Sequence, residues 1–257
     1  MGALETRLRA VRDRGDKAFL PYLTGGFPGV DAALLRELAA AGADAIEVGV
    51  PHSDPIMDGG VIQEASRVAL ERGAHPRDVL ATIADAAVDV PISVMTYANI
   101  VRRPGLATFC EDAAAAGVSG LIVPDLPVDE AAELEALAAA REIDVVLLAA
   151  PGTTTERYAT IGTASHGFVY CVATYGVTGA RGALSTTAQE VVTAMRPHTD
   201  LPLIVGVGIA TPAHATAACA FADGVAVGSA LMARMLEDDR SGMLDLAAAF
   251  RSAVGQA

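Results

Sequence analysis

Eight short runs of β-branched and other apolar residues recur along this 257-residue chain, each followed by an alanine- and leucine-rich stretch. Each run is nearly continuous in apolar residues, a pattern typical of parallel strands that are buried on both faces. This alternation restricts the fold to parallel α/β architectures. The predicted strands are 19–24, 45–50, 92–97, 120–123, 145–149, 167–172, 203–207 and 224–227.

Eight strand–helix units in a chain of this length predict an α/β fold with one domain over 1–257, a (β/α)8 TIM barrel. We also expect an extra N-terminal helix and an extra helix between the second and third strands, where 62–88 has room for two helices divided near 73–76. Asp31, Asp129 and Thr154 are the predicted helix starts. The alternative is a doubly wound open sheet, but GGFPG at 25–29 is not the GxGxxG fingerprint of that fold.

The charge balance and the cysteines narrow the class of protein. Lys+Arg number 18 against 31 Asp+Glu, a formal net charge of −13, which argues against nucleic acid or an anionic membrane as a partner. No apolar run approaches the ~18 residues of a membrane span, and the charged N-terminus has no apolar signal core. The three cysteines are too scattered for a disulfide framework or a CxxC metal site. We therefore expect a cytoplasmic protein.

Candidate carboxylates lie where barrel chemistry is expected, at the carboxyl ends of strands and in the loops that follow them. Glu47 stands within the apolar run DAIEVGV, where burial would raise its pKa into the range of a general acid or base. The alternative is a structural glutamate that is paired with an arginine or a backbone amide. Asp54 and Asp58 lie in the loop PHSDPIMDGG, which is either an ordinary polar loop or a loop that delivers a second carboxylate on closing.

Glycines cluster after the last three predicted strands, at 176–179, 206–208 and 228–229. Glycine lets backbone amides approach a phosphate, although tight turns would explain the same pattern. The only lysine, Lys17, precedes the first strand and should lie at the opposite rim, so a Schiff-base route has no nucleophile. His52 is the one histidine in a catalytic-face loop, too few for a metal site. We therefore predict acid–base chemistry on a phosphorylated small molecule, with no metal and no cofactor.

The segment EVGVPHSDPIMDG at 47–59 resembles the signature of the tryptophan synthase α subunit family. Further segments of this family follow in the expected order over nearly the whole chain. They are PYLTGGFPG at 21–29, VMTYAN at 94–99, LIVPDLP at 121–127, GFVY at 167–170, GVTGAR at 176–181, VGVGI at 205–209 and ADGVAVGSA at 222–230.

The resemblance implies retro-aldol cleavage of indole-3-glycerol phosphate to indole and D-glyceraldehyde 3-phosphate, in the last steps of L-tryptophan biosynthesis. It makes Glu47 the proton-transfer group and Asp58 the group that stabilises positive charge on the indole nitrogen, with Tyr170 beside them. It places Tyr22, Tyr97, Val123 and Leu126 around the indole, Gly179, Gly206, Gly208, Gly228 and Ser229 at the phosphate, and Thr178, with Asp54, in loop closure over Asp58.

The resemblance also implies a β-subunit partner in an α2β2 type of complex. Some loop residues depart from the family pattern: His52 replaces Phe or Tyr, Gly60-Val61 replaces Pro-Thr, and 173–175 differ as well. The alternatives are a stand-alone lyase that releases free indole and an idle subunit that only activates a β partner. Phosphoribosyl isomerase barrels are a remote alternative, since they would lack the spacing from Glu47 to Asp58.

Overall fold

Eight parallel strands close into a barrel in the order in which they occur along the chain, which confirms the predicted TIM barrel. The structure is a computed structural model, and it describes residues 1–172 and 186–255. The strands are β1 (Ala18–Thr24), β2 (Ile46–Gly49), β3 (Ile92–Met95), β4 (Val118–Ile122), β5 (Asp144–Ala149), β6 (Val169–Cys171), β7 (Leu203–Val205) and β8 (Gly224–Val227).

Helices surround the barrel and account for most of the remaining described residues. In chain order they are α1 (Ala3–Asp13), α2 (Ala32–Ala40), α3 (Gly60–Glu71), α4 (Pro76–Ala86), α5 (Ala98–Arg102), α6 (Leu106–Ala115), α7 (Ala132–Ala139), α8 (Thr155–Ala164), α9 (Thr186–Met195), α10 (Pro212–Cys219), α11 (Ser229–Leu236) and α12 (Arg240–Val254). The predicted extra helices are both present, as α1 and as the pair α3 and α4.

Alternate residues of each strand point into the barrel and outward to the helices. Leu20, Ile122, Val146, Phe168 and Ile204 belong to the interior cluster. Their neighbours along the strands pack in a larger cluster against the surrounding helices. Both faces of the strands are therefore apolar, which explains why the sequence reads as continuous hydrophobic runs.

Helix α1 closes the amino end of the barrel. Leu4 and Leu8 pack in the interior cluster and are almost fully buried. The Asp144 carboxylate, at the start of β5, accepts hydrogen bonds from the backbone N–H groups of Gly2 at 3.0 Å and Glu5 at 2.9 Å. Lys17 lies at the same end, where its Nζ donates to the carbonyl of Ala222 at 2.9 Å, as predicted from its position before β1.

Some strands and helices begin at other residues than predicted, because of the local backbone geometry. Strand β6 begins at Val169 rather than at Gly167, because Gly167 has a φ of 77°, which is incompatible with a strand. Asp31 and Thr154 cap α2 and α8 as predicted. The prediction for Asp129 is wrong: it lies in a 3-10 turn, and α7 begins only at Ala132.

None of the helices within 1–172 and 186–255 is long and apolar enough to cross a membrane.

Candidate active site

A cavity of about 610 Å³ opens at the carboxyl ends of the strands. Its lining combines three carboxylates, two tyrosines, aliphatic side chains and glycine backbone. Ten of the residues expected at the site lie in this lining: Tyr22, Glu47, Asp58, Val123, Leu126, Tyr170, Gly206, Gly208, Gly228 and Ser229.

Glu47 points into the barrel from the middle of β2, where it is opposed in register by Tyr22 of β1 and Ser93 of β3. Its side chain is fully buried, and neither carboxylate oxygen has a hydrogen-bond partner among the described residues. Burial, reinforced by the negative charge of Asp58, raises the pKa of Glu47 to about 8. Within the described residues, the arginine or amide partner of the structural alternative is therefore missing.

Asp58 enters the cavity from the loop between β2 and α3. The Tyr97 hydroxyl donates to its Oδ2 at 3.0 Å, and the same hydroxyl oxygen accepts the N–H of Met57 at 3.1 Å. Burial raises the pKa of the Asp58 carboxyl, while the hydrogen bond from Tyr97 and the nearby His52 favour its charged form. Asp58 thus has a hydrogen-bond partner at the cavity, whereas Glu47 has none among the described residues.

Two glycines make room for the tyrosine hydroxyls of the cavity. A Cβ at Gly49 would lie 2.0 Å from the Tyr22 hydroxyl, and a Cβ at Gly206 would lie 2.0 Å from the Tyr170 hydroxyl. Burial, together with nearby acidic groups, raises the pKa of both tyrosines well above the usual value, so both hydroxyls stay neutral. Gly206 therefore has a steric role beside any role toward a ligand.

The lining of the cavity also includes the N-terminus of a helix. Helix α11 begins at Ser229, and Gly228 at its N-cap provides no side-chain hydrogen bond to the first turn. The helix N-terminus has unpaired N–H groups and the positive end of the helix dipole, both of which suit an anion. Gly208, on the adjacent loop, has a φ of 89°, a conformation that favours glycine.

Four expected residues lie outside this lining or outside the described residues. Tyr97 is not among the described residues that line the cavity, but its hydroxyl donates a hydrogen bond to Asp58. Asp54 lies in the β2–α3 loop, where its N–H donates to His52. Thr178 and Gly179 fall within 173–185, outside the described residues.

Sequence reasoning missed several lining residues, among them Met95, Leu148, Arg157 and Ile209. Met95 and Leu148 lie near the ends of β3 and β5, so their position along the strand could have predicted that they line the cavity. Arg157 lies on α8 and pairs with Asp129, in the 3-10 turn before α7, at 2.8 Å. No local pattern predicts this contact between separate elements. Among the described residues, no group of three or more His, Cys, Asp or Glu could hold a metal ion.

Comparison with known proteins agrees with this architecture over almost the whole chain. The profile of the tryptophan synthase alpha chain family matches residues 8–254. The tryptophan synthase alpha chain of Chloroflexus aggregans is 42% identical over 240 residues, which cover 91% of this chain and 90% of that protein. That of Microcystis aeruginosa is 43% identical over 246 residues, with 94% and 93% covered.

Solved structures agree as well. A chain of Mycobacterium tuberculosis tryptophan synthase superposes with a TM-score of 0.92 at 39% identity, covering 99% of this chain and 98% of that one. Tryptophan synthase subunit alpha from Legionella pneumophila superposes with a TM-score of 0.89 at 29% identity, with both chains fully covered. The family profile, the sequence identities and the coverage of more than 90% of the chain together show that this chain belongs to the tryptophan synthase alpha chain family.

Proposed function

We propose that this chain, as one domain, cleaves indole-3-glycerol phosphate to indole and D-glyceraldehyde 3-phosphate, as the α subunit of tryptophan synthase. The observation that carries the proposal is the buried Glu47 carboxyl group, which has no hydrogen-bond partner among the described residues and shares one cavity with Asp58. A carboxyl group with a pKa of about 8 can hold a proton near neutral pH and can also take one up.

Glu47 would carry the proton transfers of the retro-aldol reaction. Its neutral form donates a proton to C3 of the indole ring, and its carboxylate then accepts the proton of the adjacent glycerol hydroxyl. The bond between C3 and the glycerol carbon breaks, its electron pair returns to the ring, and the hydroxyl carbon becomes the aldehyde. The products are indole and glyceraldehyde 3-phosphate, so atoms and electrons balance.

Asp58 would stabilise the positive charge that develops on the indole nitrogen when C3 is protonated. The Tyr97 hydroxyl holds this carboxylate at 3.0 Å and keeps it directed into the cavity. A preorganised charge of this kind, like a well-placed general acid, contributes a few kcal/mol, of order 10²–10⁴ in rate. Tyr170 would lie against the substrate on β6, and Tyr22, Val123 and Leu126 would bound the indole ring.

Backbone amides would hold the phosphate, those of Gly206, Gly208, Gly228 and Ser229 in the described cavity and that of Gly179 from the segment after β6. Lys17 lies at the opposite end of the barrel, and Arg157 of the cavity lining is paired with Asp129. Neutral amides and the N-terminus of α11 are therefore the donors suited to this anion. Thr178 would bond to Asp58 when the segments that follow β2 and β6 close together, a movement that Asp54 would assist.

The partner would be a tryptophan synthase β subunit, in the cytoplasm. Ile56 and Met57, 66% and 38% exposed, present apolar surface on the β2–α3 loop at the cavity. Exposed large apolar side chains beside an active site are typical of a protein contact. A subunit seated there would enclose the cavity and receive the indole.

The test measures indole release from indole-3-glycerol phosphate by the wild type, Glu47→Gln and Asp58→Asn, each with and without a β subunit. We expect each substitution to lower kcat by about 10²- to 10⁴-fold. Glu133→Gln, on the exposed face of α7, is the matched control and should keep wild-type activity. Full activity of Glu47→Gln would overturn the mechanism.

The same assay separates the alternatives. Strong acceleration by the β subunit, with a complex on a sizing column, supports the α-subunit function. High turnover by the chain alone, without a complex, supports the stand-alone lyase. Activation of the β subunit without any indole release would identify an idle activating subunit.

A further inference from the structure

The His52 ring joins the β2–α3 loop to α5 through both of its nitrogens. Its Nδ1 accepts the backbone N–H of Asp54 at 3.0 Å, and its Nε2 lies 3.0 Å from Oδ1 of Asn99. A backbone N–H can only donate, so Nδ1 carries no proton in this arrangement. Because Asn99 Oδ1 can only accept, Nε2 carries the proton. The contacts thus define one neutral tautomer of His52.

The same ring packs against the tyrosine that holds Asp58. His52 and Tyr97 are stacked, with ring centroids 4.4 Å apart and planes 26° apart. The Tyr97 hydroxyl then binds the Asp58 carboxylate and the N–H of Met57. His52, Tyr97 and Asp58 therefore form one continuous set of contacts from the start of the loop to the cavity.

Acidic groups surround this set of contacts. Asp54 and Asp58 lie on the loop of His52 itself. From the loop after β4, Asp125 accepts the N–H of Ala98 at 2.8 Å, next to Tyr97. A proton on Nδ1 would place an N–H against the N–H of Asp54, so the bond to Asp54 would be lost.

We propose that His52 is a positioning residue for the lyase reaction: its neutral ring fixes Tyr97 and the 52–58 loop, and through them the direction of the Asp58 carboxylate. The inference rests on the proposed function of Asp58. His52 reaches Asp58 only through Tyr97 and the loop, so the loss of its contacts should lower kcat more than it changes KM.

Two substitutions separate the stacking of the His52 ring on Tyr97 from its hydrogen bonds. His52→Phe keeps an aromatic ring on Tyr97 but removes both hydrogen bonds. His52→Asn keeps an acceptor near the position of Nδ1 for the Asp54 N–H but removes the ring. We expect both to lower kcat at pH 8 by about 5- to 100-fold, with KM changed less, since a small misplacement of a catalytic group costs up to about 10²-fold.

The deciding measurement compares kcat, KM and the thermal unfolding midpoint of each variant with those of the wild type at pH 8. A positioning role lowers kcat while KM and the unfolding midpoint stay close to the wild-type values. A merely structural role would lower the unfolding midpoint and leave the kcat of the folded enzyme unchanged. His166→Gln, an exposed histidine just before β6, is the matched control and should follow the wild type.

A second readout needs no substrate. Nitrogen-15 spectra of the histidine rings, assigned by comparison with His52→Asn, should show His52 with Nε2 protonated and Nδ1 bare at pH 7.5. The opposite tautomer, or variants whose kcat equals that of the wild type, overturns the inference while leaving the lyase function intact. A wild type that releases no indole, with or without a β subunit, overturns the proposed function and this inference with it.

Discussion

At Glu47, burial has opposite consequences for folding and for chemistry. The side chain is fully buried on β2 without a hydrogen-bond partner among the described residues, and its pKa is raised to about 8. Between its unfolded pKa and pH 8, the folded chain keeps a proton that the unfolded chain releases. The free energy of unfolding therefore decreases as the pH rises through this range.

Replacement of Glu47 by Gln should remove this pH-dependent cost. We expect Glu47→Gln to be more stable than the wild type at pH 8.5, by up to a few kcal/mol, with the difference vanishing near pH 4.5. Thermal or urea unfolding at both pH values checks the result, and Glu133→Gln again provides the exposed comparison. Equal stability of the wild type and Glu47→Gln at pH 8.5 would show that Glu47 is not buried in its neutral form.

Among the elements, α1 stabilises the barrel from the end that carries no chemistry. Leu4 and Leu8 fill the amino end of the interior, and Asp144 accepts two N–H groups from the first turn of the helix. The carboxylate thus serves as a cap for α1 from a distant strand, in place of a local N-cap side chain. The helix belongs to the core even though it lies outside the eight strand–helix units.

Asp144→Ala should weaken the docking of α1. Two buried N–H groups would lose their acceptor, and we expect a loss of about 1–3 kcal/mol in the free energy of unfolding. Urea unfolding measures this loss, with Asp245→Ala on the exposed face of α12 as the control. Because the site lies at the other end of the barrel, kcat should change little. A strong fall in kcat with unchanged stability would contradict this separation.

At the scale of the whole molecule, the net negative charge opposes the binding of the proposed substrate. The formal net charge is −13, and indole-3-glycerol phosphate is an anion, so the long-range field repels it. The glycine amides at β7 and β8 and the N-terminus of α11 would have to bind it locally. Amides carry no net charge, and for this reason their hydrogen bonds depend little on ionic strength.

Salt should therefore improve apparent binding. We expect KM for indole-3-glycerol phosphate to fall about twofold between 20 and 150 mM KCl, since salt screens the repulsion and leaves the amide contacts in place. Steady-state kinetics in a buffer without phosphate or sulfate measures the effect. A KM that rises several-fold with salt would instead indicate that cationic side chains bind the phosphate.

The amino-acid sequence by itself determined the eight strands and the extra helices, and it predicted the end of the barrel at which the candidate site lies. These depend on hydrophobic periodicity and on position along each strand, which are local properties. The motif around Glu47 and Asp58 also sufficed to indicate the family, because its residues lie within one short segment.

Only the tertiary structure decided what each side chain contacts. Tyr97 lies behind Asp58, outside the described cavity lining, and Asp129 pairs with Arg157 instead of capping α7. The bond of His52 to Asn99 likewise joins different elements. These contacts depend on strand register and on the angle at which each loop leaves the barrel. Residues about 30 to 50 positions apart are brought together by that geometry, which no local pattern in the chain encodes.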